Sequence, residues 1–165
     1  MKKLYLLVSI IISIACSSIY AQEKSNSCQY QGSIFTYQNK QYDVREIIPL
    51  VGSINDCKRV GKYLVLEGHI NPIHGGYFIF NTETRKFDKD IVGSDLIFHN
   101  DDINTAIYID FNQIYNYKGE AIASLPEDGL WELHYSKDGK QIIANDRENP
   151  NKKPLFFQLK INKNK

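Results

Sequence analysis

The chain has 165 residues with 20 basic and 19 acidic side chains, so its formal charge of +1 offers no basic surplus for holding nucleic acid or an anionic membrane. Eleven tyrosines and eight phenylalanines favour sheet over helix. The length suits one domain.

Met1-Lys2-Lys3 is followed by an apolar run from Leu4 to Ala15. Twelve residues are too few to cross a bilayer, which takes about 20. The run fits the apolar region of a secretory signal, with a cut after Ala21, ahead of the polar Gln22-Glu23-Lys24-Ser25-Asn26-Ser27. Residues 1–21 are therefore read as a signal peptide and 22–165 as a single all-β domain in the periplasm. Ser13-Ile14-Ala15-Cys16 resembles a lipoprotein processing box, although Ser13 stands where that pattern prefers Leu. That route would acylate Cys16 and hold the protein on a membrane. Losing Lys2 and Lys3 takes the charge from +1 to −1.

Cys28 and Cys57 remain. Two cysteines in an exported chain pair in the oxidising compartment, and neither C-x-x-C spacing nor a neighbouring His argues for redox work. The expectation is one structural disulfide.

The segment Gln29–Tyr37 is expected to pair with Gln41–Ile48 across the Asn39-Lys40 turn, with Pro49 and Gly52 breaking the chain before Cys57. Short β-branched and aromatic runs then follow at Lys62–Glu67, Gly76–Phe80, Asp95–Phe98, Thr105–Ile109, Gln113–Tyr117, Trp131–Tyr135, Gln141–Ala144 and Leu155–Leu159. Lys86–Asp90 and Glu120–Leu125 read as their hairpin partners. Turn chemistry bounds them, as in Lys118-Gly119 and Lys137-Asp138-Gly139-Lys140. No stretch beyond the signal carries apolar residues at helical spacing.

A shift of 35 residues lays Leu96–Asp110 over Trp131–Asn145, strand on strand and turn on turn. Trp131 to Ala144 resembles the blade hairpin of TolB-like and WD40-like propellers, where an aromatic strand ends in a Ser-x-Asp-Gly-Lys turn, here Ser136–Lys140. Propellers close with at least four blades, and this chain has room for fewer than three and a half. The expected fold is all-β: antiparallel meander sheets stacked like part of a propeller.

The candidate chemistry is thin. His69 and His74 sit in the Gly-rich loop Gly68–Gly76, but a zinc site wants further ligands at defined spacing, and none is evident. His99 and His134 fall at equivalent repeat positions, which points to a shared structural role. Asp101-Asp102 and Glu127-Asp128 sit in polar turns, where solvation keeps carboxylates ionised, and Asp101–Asn104 lacks the ligand spacing of a calcium loop. No G-x-S-x-G occurs, and no base is placed beside Ser94 or Ser124. Neither a catalytic set, a metal nor a cofactor is expected. Tyr108, Tyr115, Tyr117 and Tyr135 are candidates for an exposed aromatic binding face, because alternate strand residues point to opposite sides.

These features favour binding another protein. In size, export and sheet content the chain resembles the small periplasmic immunity proteins that neutralise type VI secretion cell-wall amidases. That resemblance implies a protein partner that degrades peptidoglycan, blocked by a rigid loop in its active site. The expected loop is Gly68–Gly76, with His69, Asn71 and His74, and the second choice is Asn100–Asn104, with Asn100, Asp101, Asp102 and Asn104. The alternative reading is an envelope scaffold or accessory protein that binds a structural partner along a sheet edge.

Overall fold

The computed structural model describes residues 28–70 and 75–159. The signal segment, its Cys16 alternative, Asn71 and His74 lie outside the described residues. The described chain is all-β, with fourteen strands in four antiparallel sheets and a single 3-10 turn at Val44–Glu46.

Sheet I holds β1 (Gln29–Gln31), β2 (Ile34–Tyr37) and β3 (Lys40–Asp43). Sheet II holds β4 (Ser53–Val60), β5 (Tyr63–His69), β6 (Gly75–Asn81) and β7 (Lys86–Val92). Sheet III holds β8 (Ser94–His99), β9 (Asp102–Asp110), β10 (Gln113–Asn116) and β11 (Ala121–Ser124). Sheet IV holds β12 (Trp131–Tyr135), β13 (Gln141–Asp146) and β14 (Leu155–Gln158). Each is a meander of neighbouring strands, and none closes into a barrel.

Three apolar cores lie between the four sheets, and the period-2 pleat explains how. Leu64, Leu66, Phe78 and Phe80 point from sheet II to Phe35, Tyr37 and Tyr42 of sheet I. The intervening Val65, Tyr77 and Ile79 point the other way, to Ala106 and Tyr108 of sheet III. On β9 the alternation repeats, for Ile107 and Ile109 face Trp131, Leu133, Ile142 and Ala144 around sheet IV. Sheets II and III are thus covered on both faces, so their central strands read as continuous apolar runs. The outward face of sheet I carries Gln29, Gln31, Thr36, Gln41 and Asp43, and that of sheet IV carries Glu132, His134, Gln141 and Asn145 together with the exposed Phe156. Largely polar faces of this kind cap a stack.

The N-terminal region departs from the expected single hairpin. Gly32, at φ +58°, folds Gln29–Tyr37 back on itself as two strands, with Gln31 opposite Ile34. Asp43 then ends β3 and caps the 3-10 turn by accepting from the Arg45 amide at 3.0 Å. Cys57 lies inside an eight-residue strand, and the Cys28–Cys57 disulfide ties the start of sheet I to β4.

The tyrosines also differ from the expected exposed face. Tyr108 is buried and stacks on Tyr115 at 5.5 Å between sheets II and III. Tyr117 packs in the same layer, where burial pushes its phenol up to about 12. Tyr135, likewise pushed up to about 12 by burial, donates to the Thr105 carbonyl and pins sheet IV to sheet III. Tyr108, Tyr115 and Tyr117 find cover because they share the face of sheet III that sheet II covers.

Candidate functional site

Because every sheet is a meander, successive connections fall at alternate ends of the stack. One end carries tight polar turns: Gln38-Asn39, Gly61-Lys62, Thr82–Arg85, Asn100-Asp101, and Ser136–Lys140. These turns interlock. Arg85 donates to Gln38 Oε1 at 3.1 Å, a side chain on Gly61 would come within 3.2 Å of the Asp101 carbonyl, and the His99 ring covers Gly139.

The opposite end carries the approach to β4, the β5–β6 connection, Gly93, the Phe111-Asn112 turn, and the segments 125–130 and 147–154. Backbone bonds join these too: Gly52 N–H to His69 O at 3.0 Å, Leu125 N–H to Asn112 O at 2.7 Å, and Arg147 N–H to Leu130 O at 2.7 Å. The chemistry differs sharply. Leu50 is 80% exposed, Phe111 82% and Leu130 54%, and all three lie on this loop end. Phe111 also holds φ +51°, a conformation unfavourable for a bulky aromatic.

The sequence-derived candidates divide between the two ends. Asn100 and Asp101, both at φ +53°, form a two-residue turn of the I′ kind, and Asp102 already belongs to β9. This hairpin satisfies itself. Asp102 accepts from the Asn104 amide at 3.0 Å and its side-chain nitrogen at 2.9 Å, while Thr105 Oγ1 accepts from the His99 amide at 2.9 Å. Asn100–Asn104 is therefore a tight turn and strand start rather than a projecting loop. Gly68, His69, Gly75 and Gly76 are strand residues, leaving a connection of only 70–74. His69 is exposed at the loop end, opposite Ser53 and Gly75. The two candidate segments thus cannot form one site.

The repeat-related histidines do not share surroundings. His99 packs against Tyr135 at 5.3 Å, whereas His134 is exposed with Nε2 3.7 Å from Glu132. Of the carboxylate pairs, Asp128 lies 3.6 Å from Lys152, while Asp101 is the second turn residue and Asp102 the first of β9. Among the described residues no three His, Cys, Asp or Glu side chains cluster to hold a metal.

A groove of about 690 Å³ opens where sheets II and III splay near the loop end. Its floor is bare backbone at Gly75, Gly76 and Gly93. Gly93 is required: at φ +149° a Cβ would lie 2.4 Å from the Ile109 carbonyl. One wall presents Asp56, Lys58 and Glu67 from β4 and β5, the other Leu96, Phe98 and Asp110, and Phe111, Leu130 and Trp131 form the rim. Tyr77 bridges the walls, its hydroxyl accepting from the Leu96 amide at 3.3 Å, and burial raises its pKa.

Asp95 anchors the far side. It sits at φ +56° where the β8 register breaks between Ser94 and Ile97. Its carboxylate accepts from the Leu133 amide and, at 2.9 Å, from the Arg147 guanidinium. Burial pushes its pKa up, against the pull of the Leu133 amide and Arg147. Trp131 is fixed nearby by donating to the Pro126 carbonyl at 3.0 Å, with the Lys152 ammonium 5.0 Å over its ring.

Phe111, Leu130 and Leu50 carry no sequence signal that separates them from core residues. The one available cue is Phe111-Asn112 itself, a two-residue connection with a phenylalanine where Gly or Asn is usual. Compared with known proteins, the chain matches no family model, no curated protein and no solved structure.

Proposed function

We propose that this chain is an exported protein-binding module that engages its partner through the loop end, and that the partner is a secreted peptidoglycan-cleaving enzyme whose cleft it blocks. One observation carries the reading: the apolar side chains Leu50, Phe111 and Leu130 stand exposed on connections at one end, while the turns of the other end are polar. Phe111 and Leu130 line the groove, and exposed apolar residues beside a groove mark binding surfaces. The frame beneath them is built of doubly covered sheets, so little ordering is left to be done on docking. His69 and Gly75, the strand residues that bound the β5–β6 connection, belong to this end, and we take that connection as the segment that enters the cleft.

The test is inhibition. Residues 22–165 are mixed with purified peptidoglycan amidases secreted by competing bacteria, and both complex formation and wall hydrolysis are measured. A stoichiometric complex with loss of hydrolysis is expected, and the double variant F111D/L130D should abolish both. The tight-end variant N100G should bind as the parent does. A complex that leaves hydrolysis intact would replace inhibition by an envelope scaffold role, and tight-end dependence would remove the docking surface.

A further inference from the structure

We infer that the groove between sheets II and III receives a lysine or arginine side chain from a partner protein segment whose neighbouring apolar residue rests on Phe111 and Leu130. The inference rests on the protein-binding reading above and specifies the partner's chemistry.

The argument starts from register. Asp56 and Glu67 are direct cross-strand partners on β4 and β5, and both are exposed. Like charges placed opposite one another cost stability, so the arrangement is a local loss that the fold carries. Alternation puts both on the face that also bears Tyr77, looking into the groove. Asp110 approaches from the opposite wall, at the end of β9 and next to Phe111.

The groove's own cations are already engaged by its walls. The Lys58 ammonium lies 5.5 Å over the Phe98 ring. Arg147 is held by Asp95 at 2.9 Å and stands 3.8 Å from Glu132. Among the described residues Asp56, Glu67 and Asp110 make no ion pair. Four acidic and two basic side chains line the groove, a formal excess of −2. An incoming cation would relieve the Asp56–Glu67 repulsion, and the adjoining Val65 and Tyr77 suit the apolar stem that carries a charged head. The apolar rim limits the occupant further. A free metal ion or small amine has nothing to place on Phe111 and Leu130, whereas a peptide with a basic residue beside an apolar one fills both parts.

Isotope-labelled protein, residues 22–165, is titrated with a blocked heptapeptide of alternating leucine and lysine, with its glutamate counterpart, and with calcium chloride alone, each followed by amide shifts. The lysine peptide should move Glu67, Tyr77, Leu96 and Phe111, and added salt should weaken it. The glutamate peptide should not bind. The double variant D56N/E67Q should raise the melting temperature while weakening the lysine peptide at least about tenfold. Equal binding of both peptides, indifference to D56N/E67Q, or a groove response to calcium without the peptide would each overturn the inference. Inhibition of an amidase without any preference for basic peptides sinks this inference and spares the proposed function. Basic-peptide binding without inhibition of any amidase does the reverse.

Discussion

The Asp95 carboxylate and the Arg147 guanidinium meet at 2.9 Å although 52 residues separate them, and the same carboxylate takes the Leu133 amide. One side chain thereby fastens sheet III to sheet IV at the edge of the groove. Asp95→Ala leaves the Leu133 amide without its acceptor and Arg147 without its nearest anion, and should cost about 2–3 kcal/mol in urea unfolding. Arg147→Ala should cost less, because the Leu133 amide keeps its acceptor.

Two aspartates give opposite pH dependences. Burial raises the Asp95 pKa above 3.8, so in that window the folded state holds the extra proton and stability falls as pH rises through it. The hydrogen bond from the Arg45 side chain lowers Asp43 to about 2, so its contribution is complete above 3.8 and is lost as pH falls toward 2. Stability profiles of Asp95→Asn and Asp43→Asn, each subtracted from that of the parent, should slope in opposite senses between pH 2 and pH 6.

Gly93→Ala and Gly52→Ala separate two kinds of glycine. The first places a methyl 2.4 Å from the Ile109 carbonyl at a φ that side chains avoid; the second meets only the His69 carbonyl at 3.8 Å. Thermal melts should show Gly93→Ala losing roughly 2–4 kcal/mol and Gly52→Ala changing by less than about 1 kcal/mol.

Reduction of Cys28–Cys57, separated by 29 positions in the chain, should cost about 3.5 kcal/mol on the chain-entropy account. Hydrogen exchange should quicken first in β1, whose only sheet neighbour is β2, while β9 stays protected.

Phe111→Asn exchanges an exposed aromatic in the left-handed region for a residue that tolerates it. A gain of about 0.5–1 kcal/mol in stability is expected, together with loss of partner binding. A variant both less stable and still able to bind would show that Phe111 serves the fold.

Most strands were legible because their apolar runs end at turn residues, as Trp131–Tyr135 does at Ser136–Lys140. The stacked arrangement was legible in the repeat of the β8–β9 and β12–β13 hairpins. β4 was not, since Asn55-Asp56-Cys57-Lys58-Arg59 is a polar run on a sheet edge and resembles a loop. Nor was the fold-back at Gly32, which hides inside what reads as one strand. The loop end escaped for a different reason. Exposure is a property of the assembled stack, and Phe111 and Leu130 are spelled like core residues.

Sheets II and III each contribute to two cores, and β9 runs from one of them directly into Asp110 and Phe111. No plane through the stack between β4 and β14 parts it without opening a shared layer. Melting should therefore be cooperative across these three sheets, and a molecule held at the Phe111 turn should raise the transition of all of them together.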